Sequence, residues 1–165
     1  MRTERWRLSS RRARTPAGAE SRFTLVEYEI TWRGDPEDGC VTTWGTASIE
    51  GLNAWVQEGL SDSRYRPGMH VLIDHRQLDW SRLAPADMHE RVALFASDAV
   101  RLNSARAAVM MRSPVDFGMA RMEQTYIDLE PELGIAIRIF LSIEDAREWL
   151  REQIAADTGS ADLTM

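Results

Sequence analysis

The chain contains no lysine; all 20 of its basic residues are arginine. A phosphate-binding P-loop, the strand lysine of a protein kinase and Schiff-base chemistry all need a lysine amine, so these classes are excluded. There is one cysteine, Cys40. A lone cysteine excludes an internal disulfide and makes the reducing cytoplasm the expected compartment. No apolar run approaches the ~20 residues that span a bilayer. The N-terminal arginines are not followed by the apolar segment of a secretory signal. No two glycines stand in GxG spacing, which removes the dinucleotide fingerprint. Gly59-Leu60-Ser61-Asp62-Ser63 lacks the second glycine of a nucleophile elbow.

What is present suits a single domain with a substantial core. The 165 residues are 44% hydrophobic, and six Trp and eight Met supply large apolar volume. The net charge of −6 is unevenly spread. Residues 1–22 carry seven Arg against two Glu, a net +5, which leaves −11 for the rest. The expected organisation is a basic, disordered extension over 1–22, a folded domain over 23–156 and a flexible tail over 157–165. The extension has two readings: a solubilising segment, or a tether to an anionic surface or nucleic acid. The acidic body argues against nucleic-acid binding by the domain itself.

Hydrophobic patterning predicts the elements in turn. Phe23 to Arg33 alternates apolar and polar residues, as a half-buried antiparallel strand does. The turn formers Gly34 to Gly39 then lead into a second strand, Cys40 to Gly45. A helix over Ser48–Leu60 carries the stripe Ile49, Leu52, Trp55, Val56, Leu60. Met69–Asp74 reads as a short central strand, followed by an 11-residue connection, His75–Pro85, long enough to carry function. Helix two is predicted over Ala86–Leu102, with Met88, Val92, Phe95, Ala99 and Leu102 on one face. A buried strand over Ala107–Met111 and a helix over Val115–Leu129 follow, the latter presenting Met119, Met122, Tyr126 and Leu129. Ile135–Phe140 is the last strand. It feeds a helix whose start is marked by Ser142 with Asp145 three residues on, a capping-box spacing. The order ββαβαβαβα implies an α/β fold: one mixed five-stranded sheet with four helices packed on it and right-handed crossovers.

Several segments in this order resemble a known family. They are Gly45-Thr46-Ala47-Ser48 leading into the first helix, Val71-Leu72-Ile73-Asp74, Ala107-Ala108-Val109-Met110, Phe117-Gly118-Met119-Ala120-Arg121-Met122, and Ile139-Phe140 through Ala146 and Trp149-Leu150. Their succession over about residues 23–154 resembles the STAS domain of sporulation anti-sigma-factor antagonists, in its broader bacterial STAS-like branch. The resemblance implies a non-catalytic regulatory module that binds a partner protein or a small ligand. It also implies a phosphorylatable serine at the start of the helix after the third strand, where added charge would change which partner fits. The family pattern is Asp-Ser followed closely by Gly. This chain instead reads Leu78-Asp79-Trp80-Ser81-Arg82-Leu83, in which Ser81 is the residue that would take the role.

The expected partner-binding surface is the connection after strand three: Asp74, Asp79, Trp80, Ser81 and Arg82. Loops beyond the carboxyl ends of strands are where α/β sheets bind, and Trp80 among charges would serve as a contact anchor. The occupant would be an unidentified protein, a second copy of the chain included. The alternative is a carrier or sensor of a small lipophilic ligand, in a cavity lined by Met88, Met119, Met122 and Tyr126 with Arg121 nearby. No catalytic residue, metal or cofactor is expected. His70 and Asp74 share a strand face but lie about 13 Å apart, and His75 and His89 read as structural or surface residues. Asp116-Phe117-Gly118 matches a kinase tripeptide without any of its companions. Cys40 has no patterned histidine partner and reads as a packed thiol.

Overall fold

Alternation in the first segment and turn formers behind it produce a hairpin, β1 (Glu27–Trp32) and β2 (Gly39–Thr46), paired antiparallel from Glu27 opposite Trp44 to Trp32 opposite Gly39. The computed structural model describes residues 26–161. The basic segment 1–22 therefore lies outside the described residues. Three further strands, β3 (His70–Asp79), β4 (Arg106–Met110) and β5 (Ala136–Phe140), run parallel to β2, and the sheet order is β1-β2-β3-β4-β5. Among the described residues no helix is long and apolar enough to cross a membrane.

That order decides where the helices go. When successive parallel strands step one way across a sheet, right-handed crossovers place every connecting helix on the same face. Accordingly α1 (Ile49–Ser61), α2 (Pro85–Phe95) and α4 (Pro114–Asp128) share one face. There Leu52, Trp55, Met88, Val92, Phe95 and Ile127 pack on Val41, Ile73, Val109 and Ile139. The last helix, α5 (Ile143–Ala161), has no strand to return to and covers the other face. Its Ala146, Trp149 and Leu150 meet Cys40, Leu72, Ala108 and Met110, the alternate residues of the same strands. β4 is buried on both sides, as its continuous apolar run predicts. Each fully buried leucine or methionine contributes on the order of 2 kcal/mol, so these two clusters dominate stability.

The helix starts follow their caps. Ser48, Ser113 and Ser142 each accept a hydrogen bond from the backbone N–H three residues on, at 3.1, 3.3 and 3.3 Å. At α2 the same end is closed from the other direction: the Asp87 carboxylate accepts from the Ala84 N–H at 2.6 Å.

Three expectations are corrected. The predicted helix over Ala86–Leu102 is interrupted: α2 ends at Phe95, a 3-10 turn spans Ala96–Asp98, and the single turn α3 (Ala99–Leu102) follows. The Ser97 hydroxyl donates to the Leu94 carbonyl at 2.7 Å at this break, the local competition that disfavours serine inside helices. The third strand does not stop at Asp74. β2 extends to Thr46 and offers pairing partners as far as Asp79, across a bulge between Thr42 and Trp44. The long connection thereby shrinks to residues 80–84. Leu129, expected on a core stripe, is 70% exposed just past the end of α4. Residues 157–161 belong to α5. Asp157 there lies 3.6 Å from Arg106 and 3.5 Å from His70.

The hairpin loop is tied to α5 by one part-buried pair. Arg147 donates to both Glu37 carboxylate oxygens, at 2.8 and 3.3 Å, and Glu37 is wholly buried. Arg147→Ala leaves that carboxylate buried and unpaired. The expected result is a loss of about 3 kcal/mol in unfolding free energy by urea denaturation, with Glu37→Gln costing less because it removes the charge as well.

Candidate functional site

Small residues open a gap beneath α1 and α2. Gly59 on α1, Ala107 on β4 and Ala105 just before it leave space between helices and sheet, while the Trp32 ring packs 3.5 Å from where a Cβ of Gly39 would stand. The result is a cavity of about 110 Å³. Its sheet wall is built from the inward residues Val41, Ile73, Val109 and Ile137, and its helix wall from Trp55, Val56, Leu60 and Phe95. Tyr65 and Leu102 line it on the side of the α3 turn. That turn is braced: the Tyr65 hydroxyl donates to the Arg101 carbonyl at 2.7 Å, and the Arg101 guanidinium donates to the Leu60 carbonyl. Gly134 supports the neighbouring loop at φ +63°, where an added Cβ would collide with the Asn103 side chain. The space is a pocket partly open to the surface rather than a sealed void.

Polar groups enter the wall at Tyr65, at Arg106, whose buried Nε has no hydrogen-bond partner among the described residues, and around Arg91. Arg91 is 3% exposed. Its Nε donates to Glu123 at 2.6 Å and its Nη1 to Asn53 at 2.9 Å, which joins α2 to α4 and α1. The guanidinium lies 5.7 Å from the Trp55 ring centroid and 5.0 Å from that of Phe95. Beside it, His75 Nδ1 is 2.7 Å from the Thr43 hydroxyl, and the imidazole meets Trp55 and Trp80 edge-on, with centroids 6.1 and 5.2 Å away. Burial, with a smaller push from the Arg91 charge, lowers the His75 pKa to about 3. The ring is therefore neutral at physiological pH. Trp55 lines the cavity with its ring, while its indole N–H is buried away from that space and has no hydrogen-bond partner among the described residues. The Trp80 indole N–H is also without one, but Trp80 does not line the cavity.

The residues expected to form a partner surface are dispersed. Asp79, Ser81 and Arg82 are exposed at the carboxyl rim of β3. Hydrogen bonding from Ser81 holds the Asp79 carboxyl below the usual carboxylate range, the backbone N–H reaching Oδ1 at 2.9 Å. Trp80 is 4% exposed and turns into the core, so it is no contact anchor. Asp74 faces the α5 side of the sheet, where both its oxygens accept from Arg76, at 2.9 and 2.7 Å.

The predicted ligand residues also fall elsewhere. Met88 is fully buried packing; Met119, Met122 and Tyr126 are half-buried on α4; Arg121 is exposed with its guanidinium 5.9 Å from the Phe117 ring. None of these five lines the cavity. A stripe at helical spacing marks a buried face, but the gap is set by small residues on the opposing strands. Reading the chain by stripes missed Arg91, Glu123 and the lining roles of His75 and Trp55. A charge set among the apolar positions of a helix, as Arg91 is among Met88, Val92 and Phe95, is the signal that points to a buried pair. Among the described residues no three His, Cys, Asp or Glu side chains converge as a metal site requires.

No protein-family model and no curated protein matches this chain. Among solved structures it is similar to an uncharacterized protein of the DUF3478 family from Shewanella loihica PV-4, described as having a SpoIIAA-like fold. The two are 18% identical, the match covers 81% of this chain and 99% of that one, and the TM-score is 0.45. The similarity identifies neither ligand nor partner.

The buried imidazole makes stability depend on pH. The unfolded chain takes up a proton near pH 6.5 and the folded chain only near 3, so acidification between those values favours unfolding. Stability is complete above about pH 7 and is expected to fall by about 1.4 kcal/mol per pH unit as pH drops below 6. Urea denaturation at pH 7, 6 and 5 measures the slope, and His75→Gln should flatten it.

Proposed function

We propose that the protein is a non-catalytic binding module whose ligand is a small lipophilic molecule lodged between the sheet and α1–α2. The observation that carries this reading is the cavity of about 110 Å³, walled by aliphatic and aromatic side chains. Apolar walls with a few placed polar groups are the usual make-up of a ligand site. The size suits a compact molecule: an apolar cavity of roughly 150 Å³ holds benzene. The ionisable groups in the wall support binding over catalysis. Arg91 and Glu123 are engaged with each other, and His75 is neutral and hydrogen-bonded to Thr43.

A second reading, a protein-docking face at the carboxyl rim of the sheet, is favoured by two exposed apolar side chains. Val115 is 84% and Leu141 51% exposed. They follow the neighbouring strands β4 and β5, on the same rim as Asp79, Ser81 and Arg82. Sedimentation of the purified chain and of Leu141→Glu tests whether a second copy occupies this face.

Benzene is the first probe for the cavity. Saturating benzene is expected to raise the thermal midpoint of the wild type and to shift the methyl resonances of Ile73, Val109 and Ile137. Ala107→Leu, which extends a side chain into the gap, should abolish both effects without lowering stability. Absence of saturable binding by the wild type overturns the reading.

A further inference from the structure

The sheet ends on β1 with one side of that strand unpaired, a feature separate from the cavity. Among the described residues β2 is the one strand beside it. Alternate residues of β1 therefore turn their backbone N–H and C=O groups away from the sheet. Such an edge is a template for another strand, and proteins commonly blunt it with proline, lysine or a bulge. β1 has none of these: it reads EYEITW, in unbroken register with β2. Its guards are two charges, Glu27 and Glu29. They share a face with Thr31, opposite Trp44, Thr42 and Cys40. Arg33 follows on that face: burial raises the Cys40 pKa, and the Arg33 charge opposes the rise. Tyr28, Ile30 and Trp32 turn to the helix side, where Tyr28 and Ile30 pack on the core and Trp32 lines the cavity. The opposite edge, β5, is guarded differently: full-length pairing with a second copy sets the exposed Arg138 against itself.

Charge decides how a second copy fits on β1. Two copies joined edge to edge about a two-fold axis normal to the sheet run antiparallel and keep their faces aligned, so the axis passes through one residue of the strand. An axis at Glu27, Tyr28 or Glu29 sets glutamate opposite glutamate. One at Thr31 or Trp32 brings Glu27 or Glu29 against Asp35 in the hairpin turn. Like charges directly opposite are destabilising. An axis at Ile30 avoids both. It places Glu27 opposite the partner's Arg33, Glu29 opposite the partner's Thr31, Tyr28 opposite the partner's Trp32, and Ile30 opposite the partner's Ile30. Opposite charges and aromatic pairs facing across strands are stabilising. We propose that the protein forms a two-fold dimer through β1 with the axis at Ile30, which joins two five-stranded sheets into one continuous sheet. Glu27 and Arg33 thus select a register rather than keep the edges apart.

A charge exchange tests both the dimer and its register. Glu27 and Arg33 are exposed, and along one strand their separation is about 20 Å, so they do not touch within a protomer. Sedimentation velocity of the full chain over a dilution series should show a dimer that dissociates to monomer. Glu27→Arg and Arg33→Glu should each weaken that dimer on the order of tenfold, because each sets like charges opposite at two symmetric positions. The double variant Glu27→Arg/Arg33→Glu should restore it. Leu141→Glu, at the carboxyl rim of the sheet, should leave it unchanged, which separates this dimer from one that uses the rim. A wild type that sediments as a monomer throughout overturns the proposal. So does a dimer that both single reversals leave intact, one that the double variant fails to restore, or one that Leu141→Glu dissolves. The wild-type dilution series decides the first point whatever the variants do.

Discussion

The stepwise strand order is the constraint from which the rest of the architecture follows. With β2 to β5 parallel and laid down in sequence, right-handed crossovers leave α1, α2 and α4 no choice of face. Three helices crowd one side of the sheet, and α5, free of any returning strand, covers the other. The two sides differ in consequence. The α5 face closes over small and flexible residues, Cys40, Ala108 and Met110, which accept Trp149 and Leu150 closely. The three-helix face must seat helices whose separations are set by their own contacts as well as by the sheet. Small residues at Ala105 and Ala107 meet a helix wall there that does not descend to fill them.

What holds that wall at its height is directional. Asn53, Arg91 and Glu123 bring a hydrogen-bonding group from each of α1, α2 and α4 to one point, and the guanidinium also faces two aromatic rings. A buried ion pair adds little net stability over well-packed hydrophobic residues, since desolvation offsets most of the attraction. Its geometric demands are strict, however. Any shift of one helix towards the sheet would stretch a 2.6 or 2.9 Å hydrogen bond and strand a charge away from water. The pair thus resists the collapse by which a core would otherwise close a gap. Strand β3 contributes in the same sense, because His75 and Thr43 place a polar pair where two aliphatic side chains would pack more tightly.

Most of the fold was legible because it is written in local periodicity. The doubly buried run of β4, the serine caps at 48, 113 and 142, and the apolar stripes of α1 and α5 each state their element within a few residues. The misread portions depend on distant partners. Asp74 ends an apolar run, yet the strand continues to Asp79 because β2 supplies ladder partners through Thr46. Helix two looks continuous by spacing, yet it breaks at Ala96, where the Ser97 hydroxyl donates back to Leu94. The site was less legible than the fold for the same reason. Trp80 carries the polar neighbours of a surface anchor, but its orientation follows from the added length of β3 rather than from those neighbours. The methionines mark buried faces correctly, while the cavity arises where a glycine or alanine on one element opposes a fixed residue on another. No window of one element contains both halves of that relation.

A gap in an apolar wall forfeits dispersion contacts for every side chain around it, and a buried N–H without an acceptor costs about 1–3 kcal/mol. Each has a simple remedy within the chain: a larger side chain at Ala107 fills the gap, and phenylalanine at Trp55 removes the donor. The two features are separate, because the Trp55 N–H is buried away from the cavity space although the residue lines it. The unfilled wall is what a ligand would relieve, and the dispersion contacts it lacks add to the affinity of an apolar body that restores them.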